Sequence, residues 1–256
     1  MSWRGQLAFK VCNPNKPDKY GVKLYMLAEA KHGYVYDFEV YAGIGKTTTE
    51  TVMGLMESLK NKGYHLFMDN YYNSAQLSEK LLEEGVYTCG TLRLQCGAPK
   101  DLQLQAKGKL PVDKTVFRHK DNTFTILCKD KRVASLITTS HNADTQQVER
   151  RKRVHKPDGT SSLQQVTVNK PNPICDYNNN MKGVDHFDQT VRYHFTWKCH
   201  KWTKKIMFYF MQMAIHNAFV LYQYYTTDTK KLTLLQFHKV IIWSLLNFDQ
   251  EVAFPK

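Results

Sequence analysis

Two stretches of alternating apolar and polar residues begin the patterned part of the chain. In YGVKLYMLAEA, Val22, Leu24, Met26 and Ala28 fall on one face of an extended strand. GYVYDFEVYAG repeats the alternation after a short turn at Lys31 to Gly33. The period then changes. In TTTETVMGLMESLKNKG, Val52, Leu55, Met56 and Leu59 recur at helical spacing, with Thr48 or Thr49 as the cap and Gly63 as the stop. YHLFMDN is a short apolar run that predicts a buried strand. SAQLSEKLLEEG predicts a helix from a Ser74 cap to Gly85, and VYTCGTLR another strand. Strand, strand, helix, strand, helix, strand is the order of a mixed α/β sheet.

From Leu94 to Asn172 helical signals are few. TFTILCKDKRVASLITTS predicts a hairpin turning at Lys129 to Arg132, and ERRKRVHKPDG a basic exposed loop. This middle stretch is taken as a β-rich insertion. A helix carrying Asp185 and Asp188 follows, then the largely apolar helix Ile206 to Tyr225, then a last helix with Leu234, Phe237, Ile241 and Leu245 on one face. Pro14 and Pro17 leave the first nineteen residues irregular. The resulting division is a tail over 1–19, a core over 20–94, an insertion over 95–173, a last core helix over 174–196 and a helical part over 197–256.

Charge narrows the partners. The chain has 36 Lys and Arg against 23 Asp and Glu, a formal charge of +13. Nucleic acid is the first partner this favours and an anionic membrane the second. A membrane span is not expected, because Gln212, His216, Asn217 and Gln223 interrupt the apolar helix. The six cysteines include no C-x-x-C pair, so no zinc is expected, and reduced thiols suit a cytosolic or nuclear protein. No apolar signal segment opens the chain.

Against this basic background four acidic residues stand out. Asp69 ends the apolar strand YHLFMD, where α/β sheets commonly bind ligands, though taken alone a turn residue is the favoured reading. Glu29 closes the first strand and, alone, reads as an exposed strand residue. Asp185 and Asp188 are neighbours on one helix surface, beside the apolar stripe Val184, Phe187 and Val191. An Asp188–Arg192 ion pair is the plain alternative there.

Taken together, PNKPDKYGVKLYM, MDNYYNSAQLSEKLLEEGVYTCGTLR, KDKRVASLITT and MKGVDHFDQTVRYHFTWKCHKW resemble successive blocks of the piggyBac transposase family, from about Pro14 to the end of the sequence. The resemblance implies an RNase H-like core and DDE/D chemistry. Carboxylates would hold two magnesium or manganese ions for cleavage and transfer of double-stranded DNA at TTAA sites. Two hard cations take oxygen ligands and stabilise the attacking and leaving oxygens of a phosphodiester. On the matching positions, Asp69 is the second catalytic aspartate, Asp185 the third and Asp188 the accessory acid. The first falls at Glu29, where the family has aspartate, so impaired cleavage is expected. Arg93 matches a basic DNA-contacting residue.

The resemblance further implies nuclear localisation and a homodimer, with no membrane and no small-molecule substrate. Two basic clusters are DNA-binding candidates: Arg150, Arg151, Lys152 and Arg153 as a nuclear signal or phosphate-contacting loop, and Lys198, Lys201, Lys204 and Lys205 around Trp197 and Trp202. Family members carry a long N-terminal region and a cysteine-rich zinc-binding end that this sequence does not show, so a catalytic-domain fragment or a domesticated derivative is expected. Three function classes stay open: an active nuclease, a silent DNA-binding derivative, and an interaction domain that keeps the fold.

Overall fold

A computed structural model describes residues 1–14, 16–43, 45–108, 110–130, 132–155, 161–194, 199–227 and 230–246, with the side chains of 152–155, 161–162 and 192–194 outside the description. The chain forms two compact units, one of Met1–Gly45 with Lys182–Lys256 and one of Lys46–Met181.

The first unit begins with β1 (Val11–Cys12) antiparallel to β2 (Tyr20–Gly21). The amide of Val22 donates to the Met1 carbonyl at 2.9 Å, Trp3 N donates to Tyr20 O at 3.0 Å, and the Trp3 ring is buried. The stretch expected to be a tail therefore folds back on β2. Nothing in its prolines signals this; the buried tryptophan does. β3 (Leu24–Ala28) and β4 (Val35–Val40) form the anticipated antiparallel pair, with a bulge at Leu27/Ala28 and a turn through Gly33 at φ +75°.

The second unit opens with α1 (Thr48–Leu55). Its cap is Thr47, one residue before the expected position, because Thr47 and Glu50 satisfy each other's backbone amides in a capping box. β5 (His65–Met68) leads to α2 (Ala75–Glu83), capped by Ser74, whose Oγ accepts from Leu77 N at 3.1 Å. Leu77 and Leu81 are fully buried beneath it. β6 (Tyr87–Thr91) runs parallel to β5.

Next comes α3 (Lys100–Lys107), a helix where none was expected. Its sequence DLQLQ alternates like a strand, yet Leu102 is fully buried and Leu104 is 69% exposed. β7 (Thr115–Lys120), β8 (Thr123–Lys129) and β9 (Val133–Thr138) then complete one five-stranded sheet in the order β5-β6-β9-β8-β7. The hairpin was legible. Its membership was not: three strands from the supposed insertion join the core sheet, over a cluster of Cys89, Ile126, Leu136 and Tyr177.

β10 (Thr145–His155) and β11 (Ser161–Pro171) form a separate antiparallel ribbon. The basic loop expected at 149–159 is thus a strand as far as His155. α4 (Asn172–Asn180) ends the unit. It is held to the segment that follows β9 by the His141–Asp176 pair at 3.1 Å, and Asn180 Nδ2 closes on Asp176 Oδ1 at 2.7 Å.

The chain then returns to the first unit. α5 (Gly183–His194) is distinct from α4, so the single helix expected over 174–196 is two helices broken at Met181 and Lys182. α6 (Trp202–Tyr225) and α7 (Leu234–Leu246) follow, joined by Phe219 and Phe237 with ring centroids 5.4 Å apart. The polar residues that made α6 unsuited to lipid have structural partners. Asn217 Nδ2 donates to Val35 O at 2.8 Å, its Oδ1 accepts from Val35 N at 2.9 Å, and Gln223 Nε2 donates to Leu232 O at 2.8 Å. Among the described residues no helix is long and apolar enough to cross a membrane.

Candidate functional site

Glu29 leaves β3 at the start of its turn, and that turn captures its carboxylate. Oε1 accepts from Lys31 N at 2.7 Å and Oε2 from His32 N at 2.7 Å; the His32 ring lies 3.3 Å from Oε2. The backbone closes the same loop, with Gly33 N donating to Glu29 O at 3.1 Å. Partial burial works to raise the Glu29 pKa. The amides of His32 and Lys31 and the nearby His32 ring outweigh it and hold the carboxyl below its ordinary range.

α5 starts against this turn. A Cβ at residue 183 would lie 2.5 Å from the Glu29 carbonyl oxygen, and one at residue 33 would lie 2.8 Å from Gly183 O and 2.9 Å from Phe187 N. The glycine of the KGVD block is therefore what lets helix and turn meet, and Gly33 is its counterpart. Asp185 is exposed in the first turn of α5, where a carboxylate complements the helix dipole, and Asp188 is half-buried one turn on. Among the described residues neither carboxylate has a hydrogen-bond or ion-pair partner. The alternative pairing of Asp188 with Arg192 lies outside the described side chains.

Phe187 anchors this helix. It is fully buried against Val35 and Met213, with the Tyr209 and His216 rings at 5.9 and 5.2 Å. His216 Nε2 donates to Gly33 O at 3.0 Å, so α6 also braces the Glu29 turn. Burial pushes the His216 pKa down, against the opposing effect of the Gly33 and His32 carbonyls. A histidine whose folded pKa is depressed takes up its proton more readily when unfolded. The stability it contributes is complete above about pH 6.5 and is lost as pH falls through the folded pKa. Urea unfolding between pH 7 and pH 5 should therefore show a falling midpoint, with a shallower slope in His216→Gln. An equal slope in both proteins would place the acid sensitivity elsewhere.

Asp69 and Arg93 belong to the second unit. Asp69 follows β5 and its Oδ1 accepts from Tyr71 N at 2.9 Å, while its carbonyl accepts from Tyr72 N and Asn73 N at 3.3 and 3.2 Å. This is the turn geometry anticipated as its plain reading. Arg93, just beyond β6, is exposed and lies over the Tyr71 ring, 6.0 Å from its centroid. The carboxyl ends of two parallel strands thus present a carboxylate, an aromatic ring and a guanidinium. Tyr71 escaped the sequence reading, although the aromatic pair after Asp69-Asn70 marks it.

Within neither unit do three His, Cys, Asp or Glu side chains among the described residues converge as ligands of one ion. Both Glu29 oxygens already accept amide protons, so each is committed in part to its own turn and keeps only its remaining lone pair for a cation.

The basic candidates divide. Arg150 is only 17% exposed and is spent internally, with its Nη1 2.6 Å from Asp130 and Nη2 3.0 Å from Asp113. Arg151 is exposed, and Lys152 and Arg153 lie in β10 with side chains outside the description. Lys201 and Lys204 are exposed at the start of α6, Lys205 is half-buried, and Lys198 falls outside the described residues.

Comparison with known proteins gives this arrangement its class: a family model described as Transposase IS4 matches residues 1–219. The chain belongs to this transposase family, in its piggyBac-type branch. Among curated relatives it is 24% identical over 243 residues to the human PiggyBac transposable element-derived protein 3, covering 89% of this chain and 39% of that protein. The human Chimeric ERCC6-PGBD3 protein matches with the same identity, 89% of this chain and 22% of its own length. The chain thus spans well under half of either relative. The fold is shared with a solved piggyBac transposase synaptic complex with hairpin DNA, at a TM-score of 0.77 and 22% identity, over 95% of this chain and 50% of that one.

Proposed function

We propose that the chain is a transposase-derived nuclear protein that binds double-stranded DNA and whose metal-dependent strand cleavage at TTAA sites is impaired. Binding is supported by the formal charge of +13, by exposed Arg93, Arg151, Lys201 and Lys204, and by the DNA complex of the solved relative. Exposed Leu235, Ile242, Trp243, Leu245 and Leu246 on α7 support pairing as a homodimer.

One observation carries the impairment: the Glu29 carboxylate is folded onto the amides of Lys31 and His32. In an active site Asp69, Asp185 and Asp188 would share a magnesium or manganese ion with residue 29. A glutamate reaches two amides of its own turn. An aspartate in this protein, Asp69, reaches one and leaves its other oxygen unengaged by that turn.

The test is manganese-dependent nicking of duplexes with TTAA flanks. Glu29→Asp should raise nicking on the order of tenfold or more over the parent, because small displacements of a reacting group carry penalties of that size. Asp69→Ala should remove the gain. Equal, undetectable nicking in parent and Glu29→Asp would sink the impaired-nuclease reading in favour of a silent DNA-binding derivative. Calorimetric manganese titration would separate that derivative from a protein that still holds the ion.

A further inference from the structure

We propose that the exposed face of the β10–β11 ribbon is a surface that reads base edges in the major groove of double-stranded DNA; this rests on the DNA-binding reading above. The register assigns the ribbon's residues to two faces. Val148 lies opposite Val168 and Arg150 opposite Val166, and all four are half-buried. That face is anchored through the Arg150 bonds to Asp113 and Asp130 and by Lys170, 3.9 Å from Asp130.

The other face holds Gln147 opposite Asn169, Glu149 opposite Thr167 and Arg151 opposite Gln165, all exposed. Gln165 Nε2 donates to Glu149 Oε2, so the one acid of the ribbon is engaged within the face. Leu163, 64% exposed, extends the same set.

A two-stranded ribbon gains little from burial of its own. Here the strands run 11 residues each, and the side chains of one face over 147–151 and 163–169, polar apart from Leu163, lie in solvent. The residue types on that face match base edges. Gln and Asn pair with the donor and acceptor of adenine, Arg with the two acceptors of guanine, and an apolar tip with the thymine methyl. The dimensions match as well. Eleven residues at about 3.4 Å each span roughly one turn of duplex, and a groove about 12 Å wide admits two strands. The two strands carry Arg150, Arg151, Lys152, Arg153 and Lys170 against Glu149 alone, and since Arg150 and Lys170 lie on the anchored face, the described basic side chain on the reading face is Arg151.

The experiment uses the whole chain and a pool of duplexes of about 30 base pairs with roughly a dozen central positions randomised, a span that covers one interface of this kind. The parent should enrich particular sequences. In Gln147→Ala/Asn169→Ala that enrichment should fall about tenfold or more, since two base-reading amides are lost. Affinity for random duplex, read by fluorescence anisotropy, should stay within about threefold, because phosphate contacts carry it. Methylation of guanine N7 in the enriched sequences should block the parent, a readout that needs no variant to fold.

The inference is overturned if the parent binds duplex without preference, if the double variant enriches the same sequences equally, or if N7 methylation leaves binding intact. A parent that binds no duplex at all would instead remove the DNA-binding reading, and this one with it.

Discussion

Phe187→Ala should lower stability by about 3–5 kcal/mol, the range for truncating a buried aromatic ring. The ring is fully buried on α5, between Val35 of β4 and Met213 of α6, with two further aromatic rings within 6 Å. Among the described side chains of α5 only half-buried Val191 joins the same cluster and it is far smaller than the ring; Val184 is 36% exposed and the acids flanking Phe187 face outward or half outward. The lost area and the remaining cavity both count, because β4, α5 and α6 cannot close together without breaking the Asn217 and His216 bonds to Val35 and Gly33. Urea unfolding should show a lower midpoint with an unchanged slope. A loss below about 1 kcal/mol would mean the site collapses freely and α5 is not seated by this ring.

Gly183→Ala is the second large effect, and its sign is a contest. Helix propensity favours alanine over glycine by up to about 1 kcal/mol in a helix interior, and less at a first turn. Against this, the new methyl would sit 2.5 Å from the Glu29 carbonyl oxygen and 3.2 Å from the Ala30 Cα, both backbone atoms of a turn closed by its own hydrogen bonds. Overpacking of this kind costs typically 1–3 kcal/mol and occasionally more, so the clash wins. The expected outcome is a net loss of about 2 kcal/mol in thermal or urea unfolding. It should come with a rise in the Glu29 pKa by NMR titration, as the turn that donates to its carboxylate is pushed aside. A neutral or stabilising result would show that the close approach of α5 to the β3–β4 turn does not hold in solution.

How much of this was legible in the sequence follows from where periodicity speaks. β3, β4, β5, α2 and β6 have clean patterns with local punctuation, such as Ser74 before α2 and Gly33 in the turn, and they are where the pattern put them. α3 was lost because Leu102 and Leu104 alternate although only one is buried. The β10 strand was lost because its basic run has no apolar alternation, and what makes it a strand is pairing with β11, a partner the local sequence does not announce. Sheet membership was lost for the same reason: β9 pairs with β6 across more than forty residues, through bonds such as Thr139 N to Thr88 O at 2.9 Å.

At the candidate site the residue types and positions of Glu29, Asp69, Asp185 and Asp188 came from family blocks. What their side chains do is decided by local amides. Asp69 shows the ordinary turn behaviour its position alone suggested. Glu29 does something similar with one more methylene, which reading it as a strand residue did not anticipate. The glycines that seat α5 were visible in the sequence, but their reason, a backbone carbonyl so close that a methyl there would clash, is a tertiary fact.

The two hydrogen bonds from Asn217 have a consequence beyond holding α6. Both polar groups of Val35 are bonded by one side-chain amide, as they would be by a neighbouring chain. The first residue of β4 is therefore sealed against recruitment by a stray strand, a hazard that open margins of small sheets must suppress. At that residue a single carboxamide takes the place a further strand would occupy, so the same asparagine that helps assemble the unit also closes part of the edge of its sheet.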